Sequence, residues 1–169
     1  NVGLIALLAG RDNEAERALD ESLALGRALA NPIRISSALQ NLGMLARRRG
    51  DVARAEACFS ESLALAREMG LLWLQSETLS EWGELALQQG EIARAGTMFG
   101  EALDLAEQIK AAELLGMAHF GLARVLDRRG ERAAALRHAS QSWQIFVEER
   151  HRRTAEVEGW LRTYKALDK

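Results

Sequence analysis

The 169 residues carry 22 basic and 24 acidic side chains, a net charge of -2. That balance supplies no basic field for gripping nucleic acid, and no apolar run approaches the ~20 residues that a membrane span requires. The single cysteine, Cys58, excludes an internal disulfide and a zinc site built from several thiolates, and a reducing, cytoplasmic setting is expected.

The chain opens on NVGLIALLAG, apolar but short and without the basic lead of a signal peptide. It reads as the middle of a helix, so the chain is expected to be a piece of a larger protein. Abundant Ala, Leu, Glu and Arg, with a single proline, favour helix throughout. Helical periodicity predicts helices at 1–9, 12–29, 33–49, 51–69, 71–89, 91–109, 111–129, 131–149 and 153–167. Asn31-Pro32 reads as a capped helix start, and Gly70 ends the helix before LLWLQ. No stretch alternates as a half-buried strand would.

Residues 50–66 read GDVARAEACFSESLALA and residues 90–106 read GEIARAGTMFGEALDLA. Stepping by 40 from Gly50 and Gly90 reaches Gly10 and Gly130, and the acids after the last three suit the positive start of a helix. Five residues past each glycine stand Ala15, Ala55, Ala95 and Ala135; nine past stand Leu19, Phe59, Phe99 and Ala139. Seven before stand Gly3, Gly43, Gly83 and Ala123. Ala55, Phe59 and Leu63 make one helical stripe, and the small Gly43 lets two backbones approach. Each helix pair leaves one apolar face that only the next pair can cover, which describes a solenoid. Trp82 and Trp143 occupy leucine positions of the pattern and are expected in the core. The tail from His151 puts Val157, Trp160, Leu161, Tyr164 and Leu167 on one stripe, as a terminal cap needs.

These columns resemble the tetratricopeptide repeat family. Its W-x2-L-G-x2-Y stretch is met by Leu39, Leu42, Gly43 and Ala46, then by Leu79, Trp82, Gly83 and Ala86; its A-x3-F by Ala55 with Phe59 and Ala95 with Phe99. The resemblance implies an all-α, right-handed superhelical solenoid of antiparallel helix pairs. Its units are 1–30, 31–70, 71–110 and 111–150, with a cap at 153–167, in one domain over 1–169. The unit is 40 residues rather than 34, and the family's closing proline is replaced by Arg27, Arg67, Glu107 and Val147. Forty-residue units with LALAR-like second helices are similar to the arrays of bacterial signalling ATPases and multidomain transcription regulators, where the array is a sensing or docking arm. HEAT and armadillo arrays share the period but not the short glycine turn or the A-x3-F pair.

The family's concave face is lined by the first helix of each unit. Carried over, that face comprises Gln40, Met44, Arg47 and Arg48; Glu84, Leu87 and Gln88; Met117, Phe120, Arg124, Asp127 and Arg128; and Trp160 and Tyr164 in the cap. Met44, Leu87, Met117 and Phe120 set apolar groups beside guanidiniums, the mix that anchors peptides. The arginines could clamp a carboxylate or phosphate; the plainer reading pairs them with Glu77, Glu84 and Asp127. The Asn and Lys clamp of chaperone-binding members is absent, since Gln40 and Met44 hold two of its positions. His119 and His138 fall in packing columns and could meet, but no third ligand joins them, so no metal or cofactor is expected. No nucleophile–base pair or phosphate loop appears, so the chain is expected to be non-catalytic. Three roles follow: a groove binding a peptide or helix, an effector-sensing regulatory arm, or self-association through Val2, Leu4, Ile5 and Leu8.

Overall fold

A computed structural model describes residues 2–167, with side chains placed as far as Tyr164. Among the described residues it contains helices α1 (Val2–Leu8), α2 (Asp12–Ala28), α3 (Pro32–Arg49), α4 (Val52–Glu68), α5 (Leu72–Gln88), α6 (Ile92–Ile109), α7 (Ala112–Arg128), α8 (Arg132–Glu148) and α9 (Thr154–Leu167), and no strand. The bounds differ from the sequence expectation by about one residue at each end, because the residues counted as first or last are caps. Asp51 is such a cap: its carboxylate accepts the Arg54 N–H at 3.1 Å. Asn31 does the same for Arg34 at 3.0 Å. Asn1, which the sequence counts in the first helix, and the Leu167 side chain, which it places on the stripe of the cap, lie outside the described residues.

Consecutive helices pack against one another, so α1/α2, α3/α4, α5/α6 and α7/α8 form four pairs and α9 follows as a single helix. α3 also touches α5, and α5 touches α7, so the first helices of the units stand side by side. Gly50 and Gly90 turn the chain between the helices of a pair with φ of 78° and 76°, a region an L side chain enters at a cost. Between pairs, Gly70 holds the corresponding position, while Ala30, Lys110 and Arg150 adopt it without glycine.

A phenyl ring in a glycine socket sets the spacing within a pair. A Cβ on Gly43 would lie 2.6 Å from Cε1 of Phe59, and one on Gly83 would lie 2.9 Å from Cζ of Phe99. The last pair carries Ala123 and Ala139 in those columns, and its ring sits two turns away, where Phe146 fills the space over Gly116. Phe99 is also pressed against Gly121 of the next pair, tying units three and four together.

Buried serines cross-link the pairs in a way the sequence pattern did not reveal. The hydroxyl of Ser36 donates to the Ser62 carbonyl at 2.9 Å and that of Ser62 returns to the Ser36 carbonyl at 2.9 Å. Ser76 donates to Ala102 at 2.8 Å and Ser142 to Gly116 at 2.7 Å. These hydroxyls occupy one pair of facing columns, with the serine on either helix, so a small residue opposite a carbonyl is the shared requirement. Trp82 is half-buried beneath the Arg94 guanidinium, 5.2 Å from its ring. Trp143 corrects the expectation of a core position: it is 36% exposed, on the side of α8 that faces solvent beside α9.

Gly43→Ala should destabilise the chain by about 1–3 kcal/mol through overpacking against Phe59. Gly100→Ala, whose new methyl meets nothing within 4 Å in the interior of α6, should stabilise it by about 0.5–1 kcal/mol. Denaturant titration of the two variants reads both signs.

Candidate partner-binding groove

The C-terminal halves of the first helices come together on one surface. Leu7 and Leu8 of α1, Met44, Arg47 and Arg48 of α3, Glu81, Glu84 and Gln88 of α5 and Arg124 of α7 line a cavity of about 730 Å³, closed at its far side by Arg152, Arg153 and Glu156. Repetition explains the arrangement. Leu4, Met44, Glu84 and Arg124 occupy the position six before the turn glycine, and Leu8, Arg48, Gln88 and Arg128 the position two before it. The same slot thus recurs along the row with a different side chain in each unit.

The polar groups of this surface are tied to one another. Arg47 donates to Glu81 at 2.9 Å. Arg124 donates to both oxygens of Glu84 at 2.7 and 2.6 Å. Arg153 approaches Glu84 to 3.7 Å and donates through Nε to Glu156 at 2.8 Å. Arg48 donates to the Leu7 carbonyl at 2.7 Å and pairs with Asp12. The Tyr164 hydroxyl donates to Asp127. Burial pushes the Glu81 carboxyl up, with Arg47 pulling it back. Burial likewise pushes up Glu77, further along α5.

The expected groove residues therefore fall into three layers. Gln40, Leu87, Phe120 and Tyr164 are buried, as is Glu84, 8% exposed beneath its arginines. Met44, Arg47, Met117, Arg124 and Trp160 are half-buried, and Arg48, Gln88, Asp127 and Arg128 are exposed. Phe120 is not the open apolar anchor that its column implied. It is 2% exposed, packed on Phe146 and Val157, met edge-on by Trp160 at 6.2 Å, and roofed by the guanidiniums of Arg124 and Arg153 at 5.7 and 5.5 Å. α9 covers it, because the cap occupies the place a fifth first helix would take. The cavity's apolar wall is instead Met44 with Leu7 and Leu8.

The pairing of Arg124 with Glu84 was legible in the sequence; Arg47 takes Glu81, which was not singled out. Arg152, Arg153 and Glu156 were missed altogether. They follow the register break after Arg150, where no column assigns a facing direction, and the HRR run at 151–153 was their one signal. Leu87, Gln88, Arg124 and Arg128 also line a smaller cleft of about 350 Å³ at the edge of the same surface. Arg128 and Arg152 make no ion pair or hydrogen bond among the described residues. Nor, among those residues, do three or more His, Cys, Asp or Glu side chains gather as a metal site would require. No described helix is long and apolar enough to cross a membrane.

Residues 1–68 match the tetratricopeptide repeat family. The helix pairs continue through α8 and are closed by the single helix α9, and solved structures of similar fold span this architecture. The apo form of RapI superposes with a TM-score of 0.81 at 14% identity, covering 98% of this chain. BtubC (BKLC) from P. vanneervenii superposes with a TM-score of 0.70 at 21% identity, covering 86% of this chain. At these identities the likeness establishes the fold, a tetratricopeptide-type helical solenoid. The chain spans 61% of the length of RapI and 62% of that of BtubC. No curated protein matches it.

Arg47→Met should cost about 3 kcal/mol, because it strands the Glu81 carboxylate under cover. The double variant Arg47→Met, Glu81→Leu should recover most of that loss. A double-mutant cycle by chemical denaturation measures the coupling, and additive losses would show that the two groups do not depend on each other.

Proposed function

We propose that the chain is a non-catalytic protein-interaction module whose inner groove holds a helix or peptide that carries carboxylates. The charge of the lining carries this reading: Arg47, Arg48, Arg124, Arg152 and Arg153 surround the cavity against Glu81, Glu84 and Glu156. The internal pairs consume part of that charge and hold the guanidiniums in fixed positions, which lowers the entropic cost of gripping an anion. Arg152 and, at the rim, Arg128 retain unused donors, and Met44, Leu7 and Leu8 offer an apolar footing beside them. The match of residues 1–68 to a repeat family that serves as a binding scaffold supports the same role. Within that role we place the chain as a docking arm of a larger cytoplasmic regulatory protein of the bacterial signalling type, with no nucleic acid or membrane contact of its own.

Three labelled helical peptides of equal length test the groove, one rich in Glu and Leu, one in Gln and Leu, one in Lys and Leu. Fluorescence anisotropy should report binding of the first that weakens with salt. Arg128→Glu with Arg152→Glu should weaken it at least about ten-fold, about 1.4 kcal/mol, with the thermal midpoint unchanged. Equal binding of all three peptides would sink the proposal.

A second reading, self-association, is favoured by the N-terminal end. Val2, Ile5 and Leu8 are 66%, 61% and 48% exposed on α1. Beside them, α1, α2 and α3 leave a cavity of about 750 Å³ lined by Val2, Leu19, Leu25 and Ile33. Sedimentation equilibrium should then show a concentration-dependent dimer that Ile5→Asp dissolves; a monomer at every concentration rules the reading out.

A further inference from the structure

Units two and three close each helix pair with an apolar contact between the position eleven before the turn glycine and the position eight after it. Leu39 and Cys58 share one cluster, and Leu79 and Met98 share another. In unit four these positions are His119 on α7 and His138 on α8. Both imidazoles are half-buried. Their Nδ1 atoms lie 2.9 Å apart, with ring centroids separated by 5.1 Å and planes inclined at 48°.

That gap has room for one proton. One ring must donate its Nδ1–H while the other accepts on a bare Nδ1, so the two rings hold opposite tautomers when neutral. A first added proton can go to the outer nitrogen of the donor ring, leaving the bridge intact. A second must go on the accepting Nδ1, which sets two N–H groups and two positive rings against each other. The contact cannot survive that state at 2.9 Å. The charged group acting on the pair is Arg137 of α8, which adds to the repulsion.

What the pair holds together is the end of the array. α7 carries Arg124, which lines the groove, and Phe120, buried against Phe146 of α8 and Val157 of α9. We propose that the His119–His138 pair is an acid-triggered release: its second protonation parts α7 from α8 and unseats α9 together with the groove wall. The opening stands on the pair's geometry alone; its effect on a bound partner rests on the groove reading above.

The sign follows from the fold's preference for neutral rings. Burial, then the neighbouring His138, pushes His119 down to about 4, and burial lowers His138 as well. The pair's share of stability is therefore fully present above the ordinary histidine value near 6.5 and is lost as pH falls from there through about 4. The remaining histidine, His151, lies apart from the pair: it stacks on Phe146 at 4.3 Å with Nε2 3.1 Å from Glu113.

Residue-resolved hydrogen exchange across this pH range, without any partner, provides the test. In the parent chain, protection in α8 and α9 should fall at least about ten-fold relative to α3–α6, the equivalent of one unit of proton affinity. His119→Leu with His138→Met, copying Leu79 and Met98, should abolish that difference while leaving His151 in place. Equal loss along the whole chain, or the same loss in the variant, overturns the proposal. Should the double variant not fold, nitrogen-15 spectra of the parent's histidines decide. Opposite tautomers and two separated titration steps are expected for the pair, and independent titration of both near 6.5 would refute it. If the exchange difference appears and the acidic peptide still stays bound, the release is right and the groove reading is wrong.

Discussion

The distance between the two helices of a pair is fixed by an aromatic ring lying on a glycine. Where Phe59 meets Gly43 and Phe99 meets Gly83, no Cβ fits between ring and backbone, so each α-helix stands as close to its partner as the ring allows. Everything else inherits that spacing. The serine hydroxyls reach carbonyls across the pair because the backbones are already near. The first helices of successive units fall side by side, and the groove is the surface which that row presents. A ring in a socket is a packing constraint and carries no chemistry, which explains how so much of the sequence can repeat while the surface beside it changes.

The changing surface obeys a second constraint. A groove lined by arginines would repel itself if each guanidinium stood alone, and buried carboxylates would be expelled if left unpaired. Alternation along the row solves both problems. Arg47 sits against Glu81 and Arg124 against Glu84, each pair joining two neighbouring units. The pairs therefore act as inter-unit ties as well as lining. Their side chains are one-fifth exposed or less except for Arg124, so desolvation offsets much of their Coulombic attraction. Their contribution lies more in fixing where the guanidiniums point than in net stability.

The repeat made the fold legible. Columns forty residues apart identified the turns, the sockets, the Ala and Phe stripes and the helix count, because each is a requirement that every unit must meet. The groove was legible only as a face. Column position says which way a side chain points and not how deeply it sits, so Phe120 and Leu87 read as surface although α9 and the neighbouring units bury them. Depth depends on what stands opposite, which is tertiary information. The contribution of Arg152, Arg153 and Glu156 was hidden for a related reason: past the register break there is no column from which to infer direction.

The last unit shows what happens when the rule relaxes. With Ala123 opposite Ala139, the usual socket is empty of a ring, and the aromatic has moved two turns to Gly116. Moving it puts Phe146 directly under the capping helix, where it can also stack on His151. A pair relieved of its central ring depends more on its remaining contacts, and one of those has become a pair of imidazoles where its siblings have Leu with Cys or Met. Apolar contacts of that kind do not change with proton concentration, whereas a shared proton does. The unit that closes the array, and holds one wall of the groove, is thus the one whose internal packing has been made conditional.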